Sequence, residues 1–421
     1  MERNLIDLDG CRREVRITLS DAELRPHYDQ AYVQAQAGIA VKGFRKGKVP
    51  LNIIKQQFGR GIENEALDSI ADAEFRSFVA AEKINVVGQP ALTDIQKEQG
   101  NVTFTIRFEV LPEFELGNYR GLVVNRPVKA VTDADVDEEI ARIALRAASF
   151  EPAEQITDYM YVATITMHEL DRETSTPLLG KEAREERVFL DDENLDMHLR
   201  NSLMNLKVGD NFSYVAETSD ENQTPPSFRV TVTDIQKVVP AEFTNEFAEQ
   251  VTGGRFTTTE EVRHDIEHQL QHYYEDAARD QVENQIVDQL VQAHSFEIPG
   301  SLVHGVIHQL FDDFKKRNEG APGLEQLTAH DLEPQLKPTA ERIVRWEIIR
   351  NKIIDAESLQ ITDEDIASAA VKYGMPEDQM RMLMRQNRGV GDQLLAEKAL
   401  HTLVDYAIIN DVNVDSEQSL V

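Results

Sequence analysis

The sequence predicts a multidomain α+β protein with a small α+β domain at the N-terminus, a second α+β domain in the middle, and an all-α C-terminal domain with extended helical arms. The chain has 421 residues, which suggests roughly two to four domains. Apolar and polar residues alternate along segments of the first half, as in half-buried strands. Later stretches are long and amphipathic, which is typical of helices. The expected domains are residues 1–113, a linker over 114–150, residues 151–237 and residues 238–421.

Turn and capping signals order the elements of the first domain. Asp9-Gly10 favours a hairpin turn, Ser20 and Glu23 form a capping box, and Pro50 suits the first turn of a helix. We expect strands over residues 4–8 and 13–19, a helix from 20 to about 37, a loop over 38–49, a short helix from Pro50 to near Gly59, a longer helix over 62–83, and two strands, the second over 102–110.

The linker and the middle domain show a similar mixture of elements. Thr132 caps an acidic helix over residues 133–148. In the middle domain one short helix begins at Asp191 or Asp192. The expected strands cover residues 159–167, 187–190, 211–216 and 227–236. A short helix on a mostly antiparallel sheet forms a small α+β domain.

The last part of the chain contains only helix patterns. Thr258 or Thr259 begins a very long amphipathic helix that reaches about His294, and Pro299-Gly300 ends it. Further helices are expected over residues 301–317, 338–356, 363–373 and 391–410. Helices so long and polar do not all pack into one tight globule, so we expect extended arms whose apolar stripes are partly uncovered.

Composition limits the class of protein. Apolar residues make up 41% and charged residues 28% of the chain, which excludes a disordered chain and a collagen-like fibre. The single cysteine, Cys11, excludes an intrachain disulfide and a zinc site built on cysteines. The longest apolar run, residues 159–163, is far too short to cross a bilayer, and no apolar signal core follows Met1. We therefore expect a cytoplasmic protein without membrane insertion.

The charge distribution contains one exception to a strongly acidic chain. The net charge is −31, from 44 basic and 75 acidic residues. A uniformly acidic protein repels nucleic acid and anionic membranes. However, residues 30–62 contain no Asp or Glu. This window carries six basic residues: Lys42, Arg45, Lys46, Lys48, Lys55 and Arg60. The contrast indicates a cationic contact surface.

The basic window contains the loop Lys42-Gly43-Phe44-Arg45-Lys46-Gly47-Lys48-Val49-Pro50. Two glycines flank an aromatic residue and two cations. Such a loop presents Phe44 as an apolar anchor inside a positive rim, which suits docking on a surface rich in phosphate or acidic protein. It is not a nucleotide-binding loop, because its glycines are one residue too close together and no Ser or Thr follows Lys48.

The segment from Gly43 to Pro50 closely resembles the ribosome-binding signature of bacterial trigger factors. Residues 131–137 resemble the linker helix of that family. The middle domain lies where the family has an FKBP-like prolyl isomerase domain, and the helical remainder lies where it has substrate-cradling arms. The resemblance therefore covers essentially the whole chain.

The resemblance implies an ATP-independent chaperone that docks on a protein of the large ribosomal subunit at the exit tunnel and holds nascent or unfolded polypeptides during folding and export. It also implies a homodimer off the ribosome. Phe44, Arg45 and Lys46 would contact the ribosomal protein. Gly43, Gly47 and Pro50 would shape the loop, and Lys48 would add charge. We expect no cofactor and no specific DNA partner.

The middle domain departs from the pocket pattern of the family. Isomerisation of an X-Pro bond requires lowering a barrier of about 18–20 kcal/mol, which FKBP-like domains do with an apolar, aromatic-lined pocket. The acid-aromatic pair usual on the first strand is missing, and Leu199 stands roughly where the family has an aromatic residue. We expect the fold to be kept and the isomerase activity to be weak or absent. The remaining pocket candidates are Met167, Phe189, Leu199 and Phe228.

Two groups of apolar residues are candidates for binding unfolded polypeptides. Four of the nine methionines lie within residues 375–384, and methionine suits adaptable apolar contacts. Met380 and Met384 share one helix face while Met382 points elsewhere, so we expect one of the two faces to be exposed. Packing of at least two methionines in a helical core is the alternative. The candidate residues are Met375, Met380, Met384, Phe311 and Phe314.

Histidines recur at helical spacing in two places: His264, His268 and His272, and His304 and His308. Spacing of four residues places side chains on one helix face, as zinc sites require. No catalytic Glu pattern accompanies them, so we expect solvated helix faces and no metal site.

Two functions from different classes remain open on the sequence alone. The first is the ribosome-docked chaperone. The second is a free-standing prolyl isomerase or holdase that does not depend on the ribosome. Turnover of a proline peptide, measured beside suppression of aggregation, separates them. Nucleic-acid binding through the basic loop has little support in so acidic a chain.

Overall fold

The computed structural model describes residues 2–42, 44–98, 100–171, 174, 176–178, 181–216, 225–320 and 323–414. The chain forms two compact units. One consists of Met1–Arg126 together with Arg279–Val412, and the other contains Pro127–Ala278. The predicted mixture of helices and sheets in several domains is confirmed. No helix among the described residues is both long and apolar enough to span a bilayer.

The N-terminal part of the first unit is a four-stranded antiparallel sheet covered by two helices. The strands are β1 (Glu2–Asp9), β2 (Arg12–Ser20), β3 (Val86–Glu98) and β4 (Asn101–Val110), in the order β1-β2-β4-β3. The helices are α1 (Asp21–Gln36) and α2 (Leu51–Glu82). Apolar residues of β2 and β4 alternate towards the helices and form the core with Leu67, Phe75 and Phe78. The predicted hairpin and the capping box of Ser20 and Glu23 are confirmed.

The two helices predicted after Pro50 are one continuous helix of 32 residues, so the expected break near Gly59 is wrong. A side chain at Gly59 would come within 3.3 Å of the hydroxyl of Tyr32. Glycine costs an interior helix position about 1 kcal/mol relative to alanine. Burial of Ile54 and Ile62 against Tyr32 offsets that cost. The glycine therefore permits close packing of α1 on α2 and does not end the helix.

The remainder of the first unit is mostly helical. Its elements are β5 (Val123–Val128), the second half of α6 (Thr259–Ala293), α7 (Gly300–Arg317), a short 3₁₀ helix (Leu324–Gln326), α8 (Ala329–Glu357), α9 (Asp363–Lys372), α10 (Glu377–Gln386), α11 (Arg388–Tyr406) and β11 (Ile408–Asn413). Helix α8 begins nine residues earlier than predicted, because Thr328 and Asp331 form a capping box ahead of Pro334 and Pro338. Both prolines are accommodated inside the helix.

The expectation of helices alone beyond residue 238 is incomplete. Helix α11 ends at Tyr406, four residues before the predicted end, and β11 pairs with β5. The Ile408 amide donates to the Leu122 carbonyl at 2.8 Å, and the Val414 amide donates to the Val128 carbonyl at 3.1 Å. The two strands are almost 300 residues apart in sequence, so local pattern does not reveal the pairing.

The second unit contains the middle domain. Its elements are α3 (Asp133–Arg146), β6 (Ser149–Pro152), β7 (Tyr161–Glu169), β8 (Arg184–Phe189), α4 (Met197–Leu203), β9 (Asn211–Val215), β10 (Ser227–Val239), α5 (Asn245–Val251) and the first half of α6. The strands form one sheet in the order β6-β10-β7-β8, and β9 pairs with β10. Helix α4 begins at Met197 and not at Asp191 or Asp192, because the Asp196 carboxylate accepts the Leu199 amide at 2.7 Å.

Candidate functional site

The basic loop connects α1 to α2 and is fixed at both ends by buried apolar residues. Val49 is fully buried and packs with Tyr32, Ile54 and Ile62. The side-chain amide of Gln36 donates to the Val49 carbonyl at 2.6 Å. Pro50 is the residue that precedes the first turn of α2. The loop is therefore held on a firm base, although most of its own side chains face solvent.

The exposed part of the loop is shaped by two tight turns. The Phe44 amide donates to the Val41 carbonyl at 3.0 Å, and the Lys48 amide donates to the Arg45 carbonyl at 2.9 Å. Gly47 adopts φ +80°, a conformation that favours glycine. Phe44 is 41% exposed. Gly43 lies outside the described residues.

The cations of the loop differ from Lys55, which lies on α2. Lys55 pairs with Asp29 at 2.5 Å and lies over the Tyr32 ring. Arg45, Lys46 and Lys48 are exposed and form no ion pair with any described residue. An exposed aromatic ring among unpaired cations is a suitable contact for an acidic or phosphate-bearing partner surface.

The four pocket candidates of the middle domain do not form one group. Met167, Leu199 and Phe228 contact the same apolar cluster on one face of the sheet. Phe189 pairs with Val162 on β7, while its neighbour Val188 belongs to the cluster. Successive strand residues face opposite sides, so Phe189 lies on the other face. Leu199 is only 6% exposed and therefore serves as a core residue.

Sequence reasoning missed two aromatic neighbours of Phe228. In the antiparallel pair of β9 and β10, Phe228 lies opposite Tyr214 and Val230 lies opposite Phe212. Both aromatic side chains are partly buried against the same cluster. The alternation of Phe212 and Tyr214 along β9 was the signal that could have identified them.

The methionine candidates pack in or against one helical cluster. Helices α9, α10 and α11 pack around Met380, which is 1% exposed, and Met375 and Met384 lie against the same cluster. Met382 is 59% exposed and Val371 is 84% exposed. Met380 therefore lies inside a helical core with Met375 and Met384 packed against it, and the solvent face is the one with Met382.

Phe311, a candidate of the second predicted apolar patch, is buried and not exposed to solvent. This ring is 6% exposed, and Lys315 lies over it with its ammonium 4.6 Å from the ring centroid. Phe314 is half-buried and its carbonyl accepts hydrogen bonds from Asn318. The stripe of α7 that includes Val303 and Ile307 packs on α8, and Phe311 continues this stripe.

A cavity of about 560 Å³ lies between α3 and α6 in the second unit. Its apolar lining includes Ile143, Leu270 and Tyr273, and Tyr273 is 54% exposed. Lys129 and Asp135 form an ion pair at 3.2 Å beside it. Sequence reasoning missed this site because its two helices are far apart in the chain.

The histidines of α6 are exposed and lie beside carboxylates. His264 is 3.5 Å from Glu267, and His272 is 3.8 Å from Glu275. The described residues contain no group of three or more His, Cys, Asp or Glu side chains that could hold a metal ion.

Comparisons with known proteins point to one family. A model described as bacterial trigger factor protein (TF) matches residues 1–143, and a model described as its C-terminus matches residues 258–405. The trigger factor of Chlorobaculum tepidum is 26% identical over 408 residues, which cover 97% of this chain and 93% of the relative. The trigger factor of Salinibacter ruber is 26% identical over 437 residues, which cover 96% of this chain and 93% of the relative.

A solved structure described as "Promiscuous Substrate Recognition in Folding and Assembly Activities of the Trigger Factor Chaperone" superposes with a TM-score of 0.51 at 17% identity, over 96% of this chain and 99% of that chain. At this identity the likeness shows a shared fold. The family models at both ends of the chain and the relatives along nearly its whole length show that the chain belongs to the bacterial trigger factor family.

Proposed function

We propose that this protein docks on the ribosome through the basic loop over residues 42–50 and holds unfolded polypeptides without using a nucleotide. Membership of the trigger factor family makes it a ribosome-associated chaperone with a prolyl isomerase-type domain. The observation that carries the docking proposal is the loop itself. It combines an exposed Phe44 with unpaired cations on a buried base.

The contact consists of one apolar anchor and a positive rim. Phe44 enters an apolar site on a protein of the large ribosomal subunit at the exit tunnel, and Arg45 and Lys46 pair with acidic or phosphate groups around it. Gly43, Gly47 and Pro50 shape the loop, and Lys48 adds charge. Because the rest of the chain is strongly acidic, repulsion from ribosomal RNA elsewhere orients the docking.

Nascent or unfolded polypeptides bind weakly to apolar surfaces away from this loop. The solvent face of α10 with Met382 and the cavity beside Tyr273 are the surfaces that support this proposal. Methionine adapts to many apolar partners, and weak contacts allow release without ATP. These surfaces replace the buried Met380 and Phe311 as client contacts.

The middle domain contributes little or no isomerase activity and serves as an auxiliary binding surface. Leu199 fills the core where the family has an aromatic pocket residue, and Phe189 lies on the other face of the sheet from Met167 and Phe228. An aromatic-lined pocket is what desolvates the X-Pro bond in this class. Its partial loss supports weak turnover.

The cellular location and the oligomeric state complete the proposal. The protein works in the cytoplasm, where ribosomes translate. Off the ribosome it forms a homodimer that covers apolar surfaces otherwise open to solvent. Sedimentation of the purified protein at several concentrations tests this second point.

Co-sedimentation with bacterial ribosomes tests the docking site. The triple variant Phe44→Ala, Arg45→Ala, Lys46→Ala removes the anchor and two charges. The matched control Lys55→Ala, Arg60→Ala removes two charges from the same acid-free window, but on α2. We expect wild type and control to pellet with ribosomes and the triple variant to remain in the supernatant. Equal pelleting of all three would contradict the proposal.

A further inference from the structure

Three polar side chains of α1 lie on the helix face that meets α2 and the basic loop. Asp29, Tyr32 and Gln36 are three or four residues apart, a spacing that places them on one side of a helix. Asp29 pairs with Lys55 of α2 at 2.5 Å, and the hydroxyl of Tyr32 donates to Glu63 of α2. These two contacts join helix to helix. The contact of Gln36 is different, because it joins α1 to the loop.

The side chain of Gln36 bridges the two ends of the connection between α1 and α2, residues 37–50. It belongs to the last residue of α1, and its amide donates to the Val49 carbonyl at 2.6 Å. Val49 is fully buried, so water does not supply another donor to this carbonyl. Among the described residues, no other hydrogen bond joins residues 36–41 to residues 44–50.

The other contacts of the connection do not fix its direction. Ile39, Val41 and Val49 pack in one apolar cluster at the base, but the hydrophobic effect is non-directional. The turns at Phe44 and Lys48 are closed within the connection itself. A hydrogen bond, in contrast, weakens steeply when its angle departs from the preferred range. The bond from Gln36 is therefore the directional contact that relates the loop to α1.

We propose that Gln36 is the positioning residue of the docking loop. It holds the Val49 carbonyl and thereby orients the turns that carry Phe44 before a partner arrives. This inference rests on the proposed docking on the ribosome, and it adds a residue that lies outside residues 42–50. A loop that is ordered only on binding loses affinity to the cost of ordering. With about one molecule in ten correctly oriented, the apparent affinity is about tenfold lower.

Co-sedimentation of the full-length protein over a range of ribosome concentrations tests the effect on binding. Gln36→Met removes the amide donor and leaves the charge unchanged. The matched control is Gln57→Met, which makes the same change at an exposed position of α2 that forms no hydrogen bond with any described residue. We expect Gln36→Met to bind ribosomes about fivefold to tenfold more weakly. The control should bind as wild type does, and equal affinity of the two variants would overturn the proposal.

A second pair of variants tests whether the lost donor is the cause. Gln36→Lys restores a hydrogen-bond donor but adds a positive charge, which by itself favours ribosome binding. Gln57→Lys adds the same charge without that hydrogen bond. We expect these two variants to bind ribosomes with equal affinity. Binding by Gln36→Lys as weak as that of Gln36→Met would contradict the proposal.

Limited proteolysis with trypsin tests the orientation of the loop without ribosomes. A freed loop opens more often, so we expect cleavage after Arg45 and Lys46 to be at least about fivefold faster in Gln36→Met than in wild type. Cleavage after Arg107, within β4, should be unchanged. Equal acceleration at Arg107 would indicate general destabilisation and would overturn the proposal, as would unchanged cleavage of the loop. Faster loop cleavage in a protein whose wild type does not bind ribosomes would support the role of Gln36 and contradict the docking function.

Discussion

The basic loop and the middle-domain sheet hold their apolar residues in opposite ways. Phe44 is kept in solvent by turns whose base, Val49, is fully buried. Leu199 of the middle domain, which the sequence offered as a candidate pocket residue, is buried in the core. The difference teaches that a binding surface needs a separate set of buried residues to support it. Where the binding residue becomes part of that support, contact with a partner is lost.

The largest expected effect on stability comes from a substitution at the buried base of the loop. Val49→Asp places a carboxylate in a fully buried apolar site. An unpaired buried charge destabilises a protein by several kcal/mol, and we expect a loss of about 3–5 kcal/mol from the N-terminal part. Urea unfolding followed by intrinsic fluorescence measures it. Phe44→Asp is the control, because its exposed position should leave the unfolding midpoint nearly unchanged.

The second effect tests Leu199 as a core residue. Leu199→Ala removes a buried side chain from the cluster on α4 and the sheet, which costs about 2–4 kcal/mol. Thermal unfolding of the middle domain should shift downwards. Turnover of a proline peptide should stay at the low level of wild type. A strong wild-type turnover that the substitution abolishes would contradict the account of the pocket.

Two of the three methionines of α10 extend the comparison to one helix. Met380 is 1% exposed and Met382 is 59% exposed. Met380→Ala should destabilise the cluster of α9, α10 and α11 by about 2–3 kcal/mol. Met382→Ala should change stability by no more than about 0.5 kcal/mol and should weaken suppression of aggregation. Hydrogen exchange and an aggregation assay measure the two effects, and equal behaviour of the pair would contradict the assignment.

The smallest effect concerns the start of α3. The Asp135 carboxylate is partly desolvated, which raises its pKa, but hydrogen bonds from Thr132 outweigh this and lower the pKa to about 2. A carboxyl whose pKa is lowered on folding stabilises the folded state above its unfolded value of 3.8. That contribution disappears as the pH falls from 3.8 towards 2. Asp135→Asn should therefore flatten the acid unfolding curve of the second unit below pH 4.

Local patterns in the sequence predicted the parts of the fold that local forces decide. The hairpin at Gly10, the capping boxes of Ser20 and Thr132, and the position of the basic loop depend on residues close in the chain. Packing between distant segments decided the rest. Tyr32 keeps α2 continuous past Gly59, β5 pairs with β11, and three helices determine which methionines are buried.

The candidate sites also divide into those that local sequence predicts and those that depend on packing between distant segments. The basic loop around Phe44 could be predicted as a candidate site because its residues are contiguous in the sequence. The cavity beside Tyr273 depends on side-chain positions that spacing alone does not give.

The most direct test of the docking account compares two phenylalanines of equal exposure. Phe44 in the loop is 41% exposed, and Phe58 on α2 is 40% exposed. A photo-crosslinking phenylalanine analogue is placed at each position in turn, and the full-length protein is irradiated on bacterial ribosomes. The account predicts that position 44 crosslinks to one large-subunit protein and position 58 does not. A crosslink from position 58 alone, or none from position 44 while the protein remains ribosome-bound, would contradict it.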